Sequence, residues 1–342
     1  MRPVTARLRR YAPRRVSTVA ATVAITVALL GLASLTSVTL SYAGHEQKDP
    51  APIAFMEAED PIPEAIAALA DTASSLSGRI DTVHYEQGYA GAAYDKEAYA
   101  YVPGSYSPDR PANVVYLTHG WWGSAAGLAA GVAPVVDDLE TSGEMPPTIV
   151  VFATYYPDHS FATVNYEDDY ALNRFFATTE IDTLIDTVES RYTTFAHGDT
   201  SDESLRASRT HRAFGGFSMG ATTTWDVFSL RPQYFYGYMP MAGESWIGRE
   251  EDADDARIAQ LVTAGARREG YGPKDFRILA SAGSDDPALW DMTEQLDGLS
   301  EGYPDLMTES SLQLWVDEGE AHSSASVAHQ VAHSLPLLFP RS

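Results

Sequence analysis

The 342 residues are 44% hydrophobic and 11% aromatic with only 20% charged, enough apolar surface for a large core, which excludes a disordered polymer. Cysteine is absent, so a disulfide scaffold, thiolate metal sites, a thiol nucleophile and a lipid-modified N-terminal Cys are excluded as well. Residues 1–43 carry six Arg and no acid, leaving 17 basic against 47 acidic side chains on the remainder, a net charge of −30 that repels phosphate backbones and anionic lipid heads, so neutral partners are expected and nucleic acid is not.

After Arg15, residues 16–43 form an uncharged run of 28 residues, most apolar from Val19 to Ala33 and closed by Ser41-Tyr42-Ala43. A basic start, an apolar middle and small residues at such a site are the layout of a signal peptide. About 20 apolar residues also suffice for a signal anchor, a reading weakened by nine Ser and Thr in the run. In either case the Arg-rich flank stays inside and the body is exported. The chain is therefore expected to be secreted or extracytoplasmic, with a membrane as partner only if the segment is uncleaved. Residues 44–78 read as a linker rich in Glu, Asp, Pro and Ala followed by a short helix near 64–76, and residues 79–342 as one catalytic domain.

From Arg79 onward strand-like and helix-like segments alternate, which predicts βαβ units around a mostly parallel sheet flanked by helices, an α/β fold. Strands are expected near Ile80–Glu86, Lys96–Val102, Asn113–Thr118, Thr148–Thr154, His211–Gly215, Phe235–Met241, Phe276–Ala282 and Ser311–Val316. Helices are expected near Leu128–Thr141, Tyr170–Arg191, Gly220–Leu230, Asp252–Glu269, Pro287–Leu299 and Ser324–Leu335.

Gly216-Phe217-Ser218-Met219-Gly220 follows one of these strands and opens one of these helices. That context is what a nucleophile elbow requires: glycines permit a tight turn and close helix approach, pushing a strained Ser into the open. The alternative is a turn serine that caps the helix. A serine nucleophile needs a base within reach, and in this type of fold the chain order is Ser, acid, His. Only His322, His329 and His333 follow Ser218. His322 lies in a turn after the strand LQLWV, where a base is presented, whereas His329 and His333 stand four apart on a helix as a surface pair. The acid should follow an intervening strand, and FRILASAG ends in Ser284-Asp285-Asp286, whose spacing barely separates the two aspartates. Other acids such as Asp226 and Asp317 are expected on solvated faces. An oxyanion needs two amide donors. The N–H of Met219, next after the serine, is one, and the turn His119-Gly120-Trp121-Trp122-Gly123 offers Trp121 as the other, with His119 structural. No metal or cofactor is called for by this set.

Taken together, VVYLTHGWWG, RAFGGFSMGATTTW, YMPMAGESW, ASAGSDDPAL and EGEAH resemble, over about residues 79–340, the feruloyl esterase domains attached to bacterial xylanases. These belong to carbohydrate esterase family 1 and the wider esterase D-like group. The resemblance implies an α/β-hydrolase fold and a cofactor-free serine esterase. It places the nucleophile on Ser218, the acid on Asp286 rather than Asp285, and the base on His322, and it supports Trp121 and Met219 as oxyanion donors. Where many relatives have a small Gly-rich turn, this chain has Trp121 and Trp122, which narrow or wall the acyl pocket. Trp122, Trp246, Tyr155 and Tyr156 are candidate substrate contacts. The implied substrate is a feruloyl or acetyl ester, small or on plant polysaccharide. Two other readings are kept: an acyltransferase of the mycolyltransferase-like type, and a non-catalytic surface protein that binds glycans through its 6 Trp and 19 Tyr.

Overall fold

Each segment of strong β-character becomes a strand of a single eight-stranded sheet, and the helices between them cover both of its faces. The computed structural model describes residues 62–339; the expected signal segment and the linker up to residue 61 lie outside the described residues. In chain order, helix α1 (Ile62–Ala73) precedes the hairpin β1 (Arg79–Tyr89) and β2 (Ala92–Val102), then β3 (Asn113–Thr118), α2 (Ala125–Thr141) and β4 (Thr148–Ala153). Next come α3 (Tyr170–Phe175), a π-helical turn (Phe176–Glu180), α4 (Ile181–Arg191), α5 (Asp202–Ala207), β5 (Arg212–Phe217) and α6 (Met219–Leu230). The chain continues with β6 (Gly237–Met241), α7 (Asp255–Val262), α8 (Ala264–Arg268), β7 (Arg277–Gly283), α9 (Ala288–Gly302), β8 (Leu312–Asp317) and α10 (Ser324–Ser334).

The strand order is β1-β2-β4-β3-β5-β6-β7-β8, with β1·β2 and β2·β4 antiparallel and every later pairing parallel. Central strands such as β3 and β4 are buried at every position, as a sheet covered on both sides demands. Alternation then sorts their side chains. Val115 and Leu117 pack with Val132 and Val136 of α2 and Val331 of α10, whereas Val114 and Tyr116 join Ile185 of α4 and Trp225 and Phe228 of α6 on the other face.

Several expectations need correction. The Tyr170–Arg191 helix is interrupted by the π turn, where Glu180 turns inward to meet the buried Lys96 ammonium and accept from the Tyr85 hydroxyl at 2.7 Å. The Asp252–Glu269 helix is split at Thr263, whose Oγ1 donates back to the Ala259 carbonyl at 2.8 Å. Asp226 and Asp317 are buried rather than solvated: α6 is covered on all sides and Asp317 ends β8 against His329. Among the described residues no helix is long and apolar enough to cross a membrane.

Candidate active site

β5 runs into α6 through Ser218, which adopts φ 57° and ψ −115°. A non-glycine residue rarely takes positive φ, and it persists only where surroundings enforce it. Here the Ser218 N–H donates to the Met241 carbonyl at 2.8 Å, and its carbonyl accepts from Ala221 N–H at 2.8 Å, so both ends of the residue are fixed. The flanking glycines make the turn possible. A Cβ on Gly216 would lie 2.4 Å from the Gly220 carbonyl oxygen, and one on Gly220 2.4 Å from the Thr118 carbonyl oxygen. The start of α6 therefore presses directly against the end of β3. Ser218 is half-buried and remains accessible, while Met219 behind it is buried.

The turn after β7 carries Asp286, only 4% exposed, and the turn after β8 carries His322. Their side chains meet: His322 Nδ1 lies 2.8 Å from Asp286 Oδ2 and 3.0 Å from Oδ1. Since a carboxylate only accepts, Nδ1 carries the proton and Nε2 is the basic nitrogen. Asp286 Oδ1 also accepts from Ala288 N–H at 2.8 Å, which anchors the carboxylate at the start of α9. Asp285, its neighbour, is exposed and pairs through its backbone with Glu320. His322 reaches the elbow through Phe217, whose ring centroid is 4.4 Å away. Among the described residues Ser218 Oγ makes no hydrogen bond to His322, whose side-chain partner is Asp286. His329 turns instead to Asp317, at 3.1 Å, and His333 stacks on Trp315, so neither meets the elbow.

The turn after β3 forms the opposite wall. Gly120 touches the serine: a Cβ there would lie 3.1 Å from Ser218 Cβ. His119 is buried, and burial lowers its pKa to about 4, so the ring is neutral. Trp121 Nε1 donates to the Thr163 carbonyl at 3.0 Å, and the Trp122 N–H donates to Tyr156 Oη at 3.0 Å. A cavity of about 280 Å³ opens beside this turn, between Gly120 and Trp122 on one side and Leu128, Ser324 and Val327 on the other.

The expected aromatic contacts separate into rim and core. Trp121 and Trp122 are half-buried at the edge, and exposed Tyr166 packs on both Trp121 and Trp246. Trp246 itself is 7% exposed, with Nε1 donating to Glu244 at 2.6 Å and the Arg249 guanidinium 3.9 Å over its ring, so it supports the rim from below. Tyr155 is fully buried beneath His119 and offers a ligand no surface; the expectation that it contacts substrate is corrected, because the residue closes β4 into the core. Tyr156 is buried likewise, its hydroxyl donating to the Asp169 carboxylate. Its N–H donates to Thr154 Oγ1 at 3.2 Å, and this Thr154–Tyr156–Asp169 network was not read from the sequence, since a loop without a motif separates Asp169 from the other two.

No protein-family model matches the chain. Over 310 residues, 89% of its length, it is 27% identical to endo-1,4-beta-xylanase Y of Acetivibrio thermocellus, and it spans about a quarter, 26%, of that longer protein. Among solved structures it superposes on a mutant of the feruloyl esterase module from Clostridium thermocellum complexed with sinapinate, with a TM-score of 0.64 at 27% identity, covering 77% of this chain and 88% of that one. The family 1 ferulic acid esterase of Anaeromyces mucronatus matches in fold, with a TM-score of 0.53 at 16% identity over 76% of this chain and 91% of its own. The fold is that of the α/β hydrolases.

Proposed function

We propose that this homologue of the feruloyl esterase module of a bacterial xylanase is an exported serine esterase acting on hydroxycinnamoyl esters of plant polysaccharide. The observation that carries the reading is the Asp286–His322 pair at 2.8 Å beside a serine held at positive φ between a strand and a helix. In this reading Ser218 Oγ attacks the ester carbonyl as His322 Nε2 takes its proton. Asp286 fixes the imidazole tautomer and stabilises the imidazolium. The tetrahedral oxyanion accepts from the N–H groups of Met219 and Trp121. Collapse breaks the ester C–O bond, His322 returns the proton to the departing sugar alcohol, and water activated by the same imidazole releases the acid from Ser218. The half-buried pair Trp121 and Trp122, with exposed Tyr166, supplies flat apolar surface suited to an aromatic acyl group. Export rests on the basic and apolar pattern of residues 1–43.

The test is hydrolysis of methyl ferulate beside p-nitrophenyl acetate. Ferulate turnover is expected, with Ser218→Ala folding normally and losing about 10⁶ in kcat, as loss of a triad nucleophile does. Asp286→Asn should lose about 10⁴ in kcat with Asp285→Asn near the parent rate. A Ser218→Ala protein that still hydrolyses both esters would sink the mechanism, and turnover of acetate alone would replace the hydroxycinnamoyl substrate by a small acyl group.

A further inference from the structure

The geometry points to His119 and Tyr156 as positioning residues that hold two consecutive peptide planes of the oxyanion turn, an inference that rests on the esterase reading above. The Gly120 carbonyl lies 2.7 Å from His119 Nδ1. A carbonyl can only accept, so Nδ1 bears the hydrogen, and the other ring nitrogen of the neutral imidazole accepts from Thr154 Oγ1 at 2.7 Å. Gly123 N–H donates to the same carbonyl at 3.0 Å. The oxygen is thus gripped from two sides. In a trans peptide C=O and N–H point in opposite directions. Fixing the Gly120 carbonyl toward His119 therefore fixes the Trp121 N–H, on the far end of the same plane, away from it.

The following plane is held independently. Trp122 has φ 61°, and its N–H donates to Tyr156 Oη, which donates in turn to the fully buried Asp169. Because that N–H is engaged by Tyr156, Trp122 is not the oxyanion donor. The clamp is tightly fitted: a Cβ on Gly123 would sit 2.9 Å from the Gly120 oxygen and 3.1 Å from His119 Nδ1. His119 cannot swing aside either, since its ring packs 4.8 Å from Tyr155 and 5.5 Å from Tyr156.

The full chain carrying His119→Ala, His119→Asn or Tyr156→Phe tests this by kcat and KM on p-nitrophenyl acetate, thermal unfolding, and affinity for a trifluoromethyl ketone, whose hydroxyl adduct mimics the oxyanion, against the affinity of ferulate. His119→Ala is expected to lose about 10²-fold in kcat, the effect of misplacing a catalytic group by about 1 Å. KM and ferulate affinity should stay near the parent values while the ketone weakens in step with kcat. His119→Asn should recover part of the loss, because its amide N–H reaches the Gly120 carbonyl. Tyr156→Phe, which keeps the ring, should act in the same direction if His119→Ala fails to fold. Parent kcat and ketone affinity in folded His119→Ala or Tyr156→Phe would overturn the clamp, as would a loss of stability that weakens ketone and ferulate equally. Residual turnover in Ser218→Ala would instead overturn the esterase reading.

Discussion

The strained turn at Ser218 was legible because only a punctuated stretch of chain adopts such a conformation, and the glycines on either side announce it. The two aspartates after β7 were not separable by spacing; burial separates them, Asp286 facing His322 and Asp285 facing water. Asp226 was misread because a lone acid in the polar stretch ATTTWDVF looks like a solvated face, yet it is fully buried in α6. Tyr170 Oη at 3.3 Å and Arg174 at 3.5 Å are its polar contacts, its Oδ2 lacks a hydrogen-bond partner, and burial raises its pKa to about 7. With the folded value above the ordinary 3.8, the native state binds the extra proton between about pH 4 and 7, so stability falls as pH rises through that window. Asp226→Asn should remove that fall, gaining up to roughly 4 kcal/mol over the parent at pH 8 relative to pH 4. Urea unfolding at both pH values checks it, and an unchanged difference between the two proteins would remove Asp226 as the source.

At the scale of elements, every expected strand and every expected helical region of the domain is present, because burial on two faces leaves long apolar runs that alternate with helical periodicity. The breaks were hidden. A π turn at 176–180 serves a buried ion pair between Glu180 and Lys96, some eighty residues apart, which no local period encodes. The short α5 was missed although Ser201 caps it by accepting from Ser204 N–H, with Asp202 and Glu203 in its first turn; six residues carry too little pattern to register. The hairpin extends further than expected, since Ala90 at φ 50° and Gly91 at φ 86° form a two-residue turn that keeps the strands paired to Tyr89 and Ala92. The junction of β3, β5 and α6 tolerates least. Gly220→Ala would drive a methyl into the Thr118 carbonyl, so a loss of about 1–3 kcal/mol or more is expected from overpacking. A thermal midpoint equal to the parent's would show that α6 can back away from β3.

For the whole molecule, the α/β class followed from alternating elements, while strand order did not, because nothing local states which edge a new strand joins. Charge is the other global property. The formal net charge of −24 on the full chain sets up a field that hinders anionic substrates at low salt. For a feruloylated fragment bearing a uronate, kcat/KM should rise between about 10 mM and 150 mM salt as the Debye length shrinks from about 30 Å to 8 Å. Methyl ferulate, being neutral, should show no such rise, and equal salt responses for both esters would dismiss the field as a factor.

After β5 each strand joins the sheet beside the one before it, so β6, β7 and β8 are added in chain order at a single growing margin. A chain leaving the ribosome can build this half by accretion, every newcomer meeting a neighbour already laid down. The serine is set at the inner end of that series, its proposed acid after β7 and its proposed base after β8, at the outermost seam. On the proposed assignment, a chain grown past Ser218 but short of His322 holds its nucleophile without its base, and competence arrives only after the last strand.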